Sequence, residues 1–559
     1  MRRRVLSSGF RVFLAALAIL AVLPALAQQA TTIAISTGTN EVADLLRRGD
    51  ELEAGRRWGE ALTHYEDAMR QFPSEASLQR RFEIARLHYD LQRRYADGSF
   101  LGGVANLPPE EALDLYAQVL LKIQAHYVEA PHWRELVEHG TNNLEIALKE
   151  PAFAQRNLPE RHPEGTRPAA GEFCSRLRRT LDSQVIDSRG DAREAVAAAA
   201  RLAQAELQIP ATAVVLEYLC GATNALDPYS AYLTPDQLNE VYAQIEGNFV
   251  GLGIELETRD GDLSIVRVIP GSPAEQGGIR PGDRIVSIDG QSTAHRSTEE
   301  AANLLQGEAG SVVMLAVTTP PHPEGTRPRE VSIRRRRVDV PSIDSVRMED
   351  RQYGIGYLRL VCFQKTTCRD LETALWRLHR EGMKSLIIDL RRNPGGLLVT
   401  AVEVADKFIQ RGVIVSTRGR SAQEDFTYSA HADGTWRVPL VLMIDRDTAS
   451  AAEIFAGAIR EHRRGTVVGV RSYGKGSVQG IFPLSLGGAG VRLTTAKFYS
   501  PSGRPYSRIG VEPDVLVRLA ARPIDGSVTA APSDEDAMLA AALQAARRIG
   551  TPEQARNAR

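Results

Sequence analysis

The sequence predicts a multidomain protein of the α+β class, because three regions of the chain differ in their patterns. At 559 residues the chain is too long for one hydrophobic core, and domains of ~100–200 residues leave room for several modules. Apolar residues recur at helical spacing up to residue 240, short strands and turns fill residues 247–338, and apolar strands alternate with helices from residue 339 onward. We therefore expect a helical N-terminal region, a small sheet and an α/β core, in that order.

The composition is that of an ordinary globular protein. Hydrophobic residues make up 43% of the chain and charged residues 25%, and the formal net charge is -1. A chain with so little net charge has no long-range field to attract nucleic acid. We therefore expect no nucleic-acid partner.

The N-terminus has the three-part pattern of a secretory signal. Met1–Arg4 is basic, Val12–Leu23 is apolar, and the small residues of Ala25–Ala27 form a cleavage site. The apolar run is shorter than the ~20 residues that span a bilayer. The sequence thus predicts a signal peptide over residues 1–27 and an exported protein, periplasmic or secreted. Membrane contact is expected only if the signal stays uncleaved and anchors the chain.

Residues 40–98 resemble a tetratricopeptide-like helical region. The segment Arg56–Pro73 has packing residues at the positions where such a repeat has them, namely Trp58, Gly59, Ala61, Leu62, Tyr65, Ala68, Phe72 and Pro73. Only one or two repeats are visible, whereas about three are needed to bury a continuous face. Two interpretations stay open: a helical hairpin that acts as a spacer, or an arm that covers the functional site or recruits an adaptor protein.

A second helical region is predicted over residues 108–240. Helical periodicity covers Pro109–Ala147 and resumes over Ala211–Leu219. Residues 149–192 between them are rich in Pro, Arg and Gly. Such a composition predicts a flexible insertion rather than a packed element.

Residues 247–338 resemble a PDZ domain over nearly their whole length. The glycine-rich loop Gly251–Ile254 is followed by the segment GIRPGDRIVSIDG, Gly278–Gly290, and by a predicted helix over Thr298–Leu305. The combination is more specific than a glycine loop alone. It implies a small sheet with one helix that binds peptides.

The glycine loop of this region is a candidate peptide-binding site. Gly251 and Gly253 allow backbone N–H groups to converge on a carboxylate, and the strand that starts at Ile254 offers an edge for an added peptide strand. Leu252 and Ile254 would line the pocket for an apolar terminal side chain. The alternative is a turn that only connects strands. With the rest of the domain matched, we expect the partners to be proteins or peptides with free C-termini.

Residues 339–520 are predicted to form an α/β core, and residues 521–559 a C-terminal tail with a helix. Apolar strands and helices alternate in the order Ser385–Leu390, Leu398–Gln410, Pro439–Ile444, Ala451–His462 and Thr466–Val470. Such alternation is typical of a sheet whose strands are buried on both faces.

Three loops of this core carry candidate functional groups. In Arg391–Gly396, two glycines let backbone N–H groups approach a ligand. Ser450 lies at a predicted helix N-terminus, where free N–H groups favour negative charge, although serine is also a common N-cap. Lys475 lies between two glycines, either as a solvated charge or turned inward, where loss of water lowers the pKa of the amine.

The successive motifs of this region resemble those of the carboxyl-terminal processing proteases, peptidase family S41. They are IIDLRRNPGGLL, the segment from DTASAAEIF to GKGSVQ, VRLTTAKFYSPSGRPYSRIGVEPD and, upstream, LDPYSAYL. The similarity spans roughly Glu110 to Leu519 apart from the predicted insertion. It implies a core similar to the crotonase and Clp protease folds.

The resemblance also implies roles for single residues. By position, Ser450 is the nucleophile, Lys475 the general base and Gln479 the residue that orients the lysine. A serine needs a base to act as a nucleophile near neutral pH, and a neutral lysine suffices. The oxyanion would be held by the backbone N–H groups of Ala451 and of Gly395 or Gly396.

The family carries serines beside the nucleophile where this chain has Thr448 and Ala452. Ser450 is therefore the remaining candidate for the nucleophile in this segment. A Ser450, His462 and Asp389 triad is a weaker alternative, because His462 lies in a basic helix end. The four cysteines, Cys174, Cys220, Cys362 and Cys368, lack metal-ligand spacing, and no HExxH motif occurs.

The sequence thus predicts an exported serine endopeptidase that recognises protein C-termini and needs no metal or organic cofactor. A catalytically idle scaffold that binds C-terminal peptides is the alternative.

Overall fold

The fold was described from a computed structural model. It describes residues 11–13, 38–159, 170–259, 262–294, 298–305, 307–319, 327–422, 425–431, 435–517 and 534–549. The predicted signal peptide lies outside these residues except for Arg11–Phe13, which form strand β1.

The N-terminal region is helical, as predicted. Its helices are α1 (Gly38–Ala54), α2 (Trp58–Gln71), α3 (Ala76–Ala96), α4 (Gly98–Gly102), α5 (Pro109–His126), α6 (Trp133–Ala147), α7 (Pro151–Asn157), α8 (Ala170–Asp182), α9 (Arg189–Leu207), α10 (Ala211–Asn224) and α11 (Pro235–Glu246), with a 3-10 turn at Val104–Asn106 and strand β2 at Ala231–Leu233. A small core that includes Trp58, Ala61, Tyr65 and Leu78 holds α1 to α3 together. The likeness of these helices to a tetratricopeptide repeat stays a prediction. Among the described helices, none combines the length and apolar character that crossing a membrane requires.

The prediction of a flexible insertion over residues 149–192 is wrong for its described parts. Helices α7 and α8 lie there, and Phe153, Phe173 and Leu177 are buried in the core that α5, α6, α9 and α10 share. Pro151 occupies the first turn of α7, where the missing N–H of proline is no loss. The proline therefore starts a helix instead of interrupting one.

The middle region is a small β domain. Its elements are β3 (Asn248–Gly251), β4 (Ile254–Arg259), β5 (Asp262–Val268), α12 (Pro273–Gln276), β6 (Arg284–Ile288), β7 (Gln291–Ser292), α13 (Thr298–Leu305), β8 (Val312–Thr318), β9 (Arg329–Arg334) and β10 (Arg336–Asp339). The main sheet has the order β1-β4-β5-β6-β8-β9, and β10 pairs with β3. The strands and the helix agree with the predicted pattern.

The C-terminal region is an α/β core with two sheets. Its elements are β11 (Ile343–Asp350), β12 (Ile355–Leu360), α14 (Thr367–Arg380), β13 (Ser385–Asp389), α15 (Leu398–Asp406), β14 (Gly412–Gly419), β15 (Phe426–Ala430), β16 (Leu440–Ile444), α16 (Ala451–Glu461), β17 (Thr466–Gly469), β18 (Ser477–Pro483), β19 (Gly490–Tyr499), β20 (Val515–Leu516) and α17 (Asp534–Ile549). The first sheet has the order β11-β12-β13-β16-β17-β20 and is parallel from β12 onward. The second has the order β15-β14-β19-β18 and gains β2 from the N-terminal region.

The first sheet is covered on both faces. Leu386, Ile388 and Leu442 pack against α14, α15 and α16, whereas Ile387, Val441 and Met443 pack against Met538 and Ala542 of α17. The predicted C-terminal tail thus contains a structural helix that closes the second face. Because β13, β16 and β17 are parallel neighbours, the loops after them meet at one edge of the sheet.

A buried carboxylate fixes the N-terminal helices to one another. Glu217 on α10 is fully buried and accepts hydrogen bonds from Arg94 Nη2 (2.5 Å), Tyr95 Oη (3.0 Å) and Asn143 Nδ2 (2.7 Å). Helices α3, α6 and α10 are therefore held by one ionic and polar cluster.

Arg94→Ala is expected to lower the free energy of unfolding by about 3–5 kcal/mol, because it leaves the buried Glu217 carboxylate without its cation. Thermal melting followed by circular dichroism should show a lower Tm. Arg47→Ala is the control, since its partner is Asp44 and the two side chains are 69% and 70% exposed; exposed pairs contribute less than ~1 kcal/mol. Equal, small shifts for both variants would contradict the role of the cluster.

Candidate active site

Ser450 lies in a strained turn between β16 and α16. Its φ of 57° and ψ of -118° lie in a region that non-glycine residues rarely occupy. Such a conformation costs on the order of 1–3 kcal/mol and persists only where neighbours enforce it. The residue is partly exposed. The hydroxyl is thus presented at the edge of the sheet, at the start of a helix.

The glycine loop packs directly against this turn. Gly395 has a φ of 100°, and a Cβ placed there would lie 2.8 Å from the Ala449 carbonyl oxygen. Gly396 has a φ of 136°, and a Cβ there would lie 2.0 Å from the Phe363 carbonyl oxygen. Both positions therefore exclude any side chain.

Asn393, which sequence reasoning missed, orders the glycine loop. The residue is fully buried; its Nδ2 donates to the Leu360 carbonyl (2.7 Å) and its Oδ1 accepts from the Gly395 N–H (2.9 Å). The Ala449 N–H in turn donates to the Asn393 carbonyl (2.9 Å).

The two glycines consequently differ in their backbone N–H groups. The N–H of Gly395 is occupied by Asn393, whereas within the described part of the chain the N–H groups of Gly396 and Ala451 have no acceptor. Gly396 and Ala451 are therefore the better pair of oxyanion donors.

Lys475 is turned inward rather than toward solvent. Its Nζ lies 4.9 Å from the centre of the Tyr229 ring. Burial, and secondly the nearby Arg492, lower the pKa of the amine to about 8, although Glu453 and Asp227 oppose the shift. A considerable fraction of such an amine is neutral near physiological pH.

The side chains of Ser450, Lys475 and Gln479 are not joined in this structure. No hydrogen bond connects Ser450 Oγ with Lys475 Nζ in the described chain, and Gln479 Nε2 donates to Ser477 Oγ (2.8 Å) and Thr494 Oγ1 (3.4 Å) instead of contacting the lysine. The three predicted residues therefore share one edge of the core without forming a hydrogen-bonded set.

The LDPYSAYL segment supplies the surface beneath Lys475. Asp227 accepts hydrogen bonds from the N–H groups of Tyr229 (2.7 Å) and Ser230 (2.8 Å), and Arg492 Nε donates to the Tyr229 carbonyl (2.8 Å). This turn fixes the Tyr229 ring against the amine, which explains why an upstream segment accompanies the core.

The alternative triad is not assembled. His462 Nε2 contacts the Val413 carbonyl oxygen (2.7 Å) at the end of α16. Asp389 is paired with Arg391 and accepts a hydrogen bond from Tyr357 Oη (2.7 Å). Neither side chain faces Ser450. The described cysteines are free thiols, and no three described His, Cys, Asp or Glu side chains cluster as a metal ion would require.

The predicted peptide-binding loop presents free backbone N–H groups, and its role stays a prediction. Gly253 has a φ of 81°, and in the described residues the N–H groups of Leu252 and Gly253 have no acceptor. Leu252 and Ile254 are almost fully buried in the core of the β domain, so they form the floor of this site. Strand β4 has β5 on one side and β1 on the other.

Comparisons with known proteins agree with these features. The family model for peptidase family S41 matches residues 354–517, and that for the PDZ domain matches residues 264–319. The carboxy-terminal-processing protease of Bartonella bacilliformis is 38% identical over 303 residues, which cover 53% of this chain and 68% of that protein. The carboxyl-terminal-processing protease of Synechocystis is 34% identical over 297 residues, covering 52% of this chain and 68% of the relative.

Among solved structures, the photosystem II D1 C-terminal processing protease is 25% identical, with 79% of this chain and 98% of that chain covered and a TM-score of 0.39. The family assignment rests on the sequence matches: the S41 model covers the three candidate loops, and the PDZ model covers part of the β domain. The chain therefore belongs to the carboxy-terminal-processing proteases of peptidase family S41 and is a serine-type peptidase with a PDZ domain.

Proposed function

We propose that this protein is an exported endopeptidase that binds the free C-terminus of a protein through its PDZ domain and cleaves nearby by a Ser–Lys mechanism. The observation that carries the proposal is the meeting of three features at one sheet edge. They are the strained Ser450, the unoccupied N–H groups of Gly396 and Ala451, and the Lys475 amine with its pKa lowered to about 8. Export is inferred from the N-terminal signal pattern alone.

In the proposed reaction Ser450 Oγ attacks the carbonyl carbon of the scissile bond while neutral Lys475 takes the hydroxyl proton. The oxyanion is held by the Gly396 and Ala451 N–H groups, each worth about 3 kcal/mol of transition-state stabilisation. Collapse expels the amine, which receives the proton from Lys475, and leaves an acyl-enzyme. Water then attacks the ester while Lys475 takes its proton; collapse of this second intermediate breaks the bond to Ser450 Oγ, which takes the proton back from Lys475, and releases the carboxylic acid product.

The described arrangement fits a resting state of this machinery. Lys475 Nζ, which lies against the Tyr229 ring, would have to come within hydrogen-bond distance of Ser450 Oγ, and Gln479, whose Nε2 donates to Ser477 and Thr494, would orient the lysine. Catalytic hydrogen bonds are often long or absent without substrate and tighten in the complex. The missing hydrogen bond between Ser450 and Lys475 therefore argues against a dyad that is already formed without substrate. It does not contradict the proposed roles of the two residues.

We propose that the PDZ domain selects tails with an apolar last residue. The terminal carboxylate would accept from the Leu252 and Gly253 N–H groups. The tail would add as a strand to β4 at the edge that β1 occupies in this structure, which requires β1, a part of the predicted signal peptide, to be removed or displaced. The apolar floor of Leu252 and Ile254 would receive the last side chain.

We also propose that α2 partly covers the catalytic loops. Tyr473, two residues before Lys475, donates a hydrogen bond to Glu66 (2.9 Å). Arg70 lies 3.8 Å from Asp447, three residues before Ser450, and 5.1 Å from the Tyr473 ring centre. One helix thus contacts both loops that carry the reacting groups. Recruitment of an adaptor protein through the same helices stays an alternative.

Ser450→Ala is expected to lower cleavage of a peptide with an apolar C-terminus by at least about 1000-fold, because Thr448, the other hydroxyl of this turn, is fully buried and donates to the Leu390 carbonyl. Binding of the same peptide to the PDZ domain, measured by fluorescence anisotropy, should be unchanged. Ser183→Ala, an exposed serine beyond α8, is the control and should cleave like the wild type. Equal cleavage by wild type and Ser450→Ala would favour the idle scaffold.

The kcat/KM of the wild type is expected to rise with pH through about 8, because the base must be neutral and the Lys475 pKa is lowered to that value. Lys475→Arg should be inactive at every pH, since a guanidinium stays charged. Initial rates from about pH 6 to pH 10 on one peptide test both points. Activity in Lys475→Arg, or a flat profile, would contradict the role of the lysine.

Arg70→Ala is expected to raise cleavage of a folded protein with an apolar tail by about 5-fold while changing short-peptide cleavage little, because α2 loses its contact with Asp447 and keeps only the Glu66 hydrogen bond to Tyr473. Arg47→Ala on α1 is the matched control. Deletion of residues 28–100 is unsuitable, since Leu91, Tyr95 and Phe100 belong to the main helical core. Equal effects on both substrates would mean that the helices only act as a spacer.

A further inference from the structure

Glu453 is a fully buried carboxylate in the first turn of α16, three residues after Ser450. One oxygen, Oε2, accepts hydrogen bonds from the N–H groups of Ser450 (2.7 Å) and Lys475 (2.9 Å). The other, Oε1, accepts from Ser472 Oγ (2.6 Å) and from the Gly474 N–H (2.7 Å). An ionised carboxylate has about four acceptor sites, so the full capacity of Glu453 is used.

The four donors belong to the two loops that carry the reacting groups. One is the backbone of the nucleophile, and the others lie at positions 472–475 around the lysine. Ser472 extends the link, because its Oγ accepts from the Val511 N–H (2.6 Å). Besides Glu453, one backbone hydrogen bond, Tyr473 N–H to the Thr448 carbonyl (3.0 Å), joins the two loops in the described chain.

The same contact also bears on the strained backbone of Ser450. At a φ of 57° and ψ of -118° the turn needs neighbours that over-determine it. The Glu453 carboxylate takes the Ser450 N–H on one side, while Gly395 packs against the Ser450 Cβ on the other. Removing the carboxylate would release one of these two restraints.

We propose that Glu453 is a positioning residue of the reaction, whose ionised carboxylate holds the Ser450 turn and the Lys475 loop in one arrangement without touching the substrate. This inference rests on the proposed Ser–Lys function and adds a residue to it. The spacing Ser450, Ala451, Ala452, Glu453 also matches a helix capping box. A plain cap would stabilise α16 but would have no reason to bind the lysine loop.

The charge of Glu453 also acts on the lysine. Burial raises the pKa of Glu453 to about 7, against the four hydrogen bonds that favour its ionised form. Glu453 in turn raises the pKa of Lys475, so its neutralisation lets the amine lose its proton at lower pH. The titratable groups that interact with the carboxylate or with the amine are Lys475, Tyr229, Tyr506, Arg492 and Asp227.

Glu453→Gln tests the proposal in the full chain. The amide keeps the shape but places an NH₂ group against N–H donors, so we expect kcat to fall by about 100-fold with KM for a short peptide unchanged. The rising limb of kcat/KM should move to lower pH, because Lys475 loses the neighbour that raises its pKa. Glu453→Asp keeps the charge and should leave the limb in place while lowering kcat less.

Glu217→Gln is the matched control, since Glu217 is equally buried and accepts hydrogen bonds but lies away from the catalytic loops. It should lower Tm without moving the pH limb or the kcat of the folded enzyme. If Glu453→Gln behaves like Glu217→Gln, or if Glu453→Asp shifts the limb as Gln does, the positioning role is wrong. Should Glu453→Gln fail to fold, the kcat and the rising pH limb of kcat/KM of Glu453→Asp test the positioning role instead. An unchanged kcat in Glu453→Asp would then overturn it.

Failure of the underlying function has a different signature. In that case Ser450→Ala would cleave as well as the wild type, whatever the Glu453 variants do. If the Glu453 variants have no effect on kcat while Ser450→Ala is inactive, the proposed Ser–Lys function is retained and only the role of Glu453 is wrong.

Discussion

The burial of one parallel sheet on both faces constrains everything else in the catalytic region. All five residues of β13 and of β16 are buried, and apart from Ser385 and Asp389 at the two ends of β13 they are apolar side chains that pack. Reactive groups can therefore lie only beyond the strand ends, where β13, β16 and β17 deliver three loops to neighbouring points. Helix α17 is part of this constraint, because without it the face that carries Ile387, Val441 and Met443 would meet water.

The sequence predicted the elements of this arrangement better than the contacts between them. Continuous apolar runs such as Leu440–Ile444 identify buried strands by themselves, and the motifs placed Ser450 and Lys475 at their ends. The packing of α7 and α8 was missed, because local composition does not report the core that receives Phe153 and Phe173. These segments are helical because their apolar side chains are buried against distant parts of the chain. A short window of sequence contains no information on such long-range contacts.

The same limit applies inside the site. The capping-box spacing between Ser450 and Glu453 is present in the sequence, but any ordinary helix start satisfies that pattern, so it did not identify Glu453 as a functional residue. Its bonds to Gly474 and Lys475 depend on a loop more than 20 residues further along the chain. In the same way, Gly396 could be preferred to Gly395 as an oxyanion donor only once the bond from Gly395 to Asn393 was known. The sequence pattern thus identified Ser450, Lys475 and the glycine loop, whereas the hydrogen-bond partners of these groups could be assigned only from the fold.

The distance between Lys475 and Ser450 raises the question of how much free energy separates resting and working arrangements. A cation over an aromatic ring contributes ~0.5–2 kcal/mol. This is small beside the several kcal/mol available from binding a peptide tail. Glu453 already fixes the backbone of both loops, so the change is confined to side chains. In the proposed mechanism, substrate contacts would therefore shift the amine from Tyr229 to Ser450 without remodelling the core, as a population shift between two side-chain arrangements.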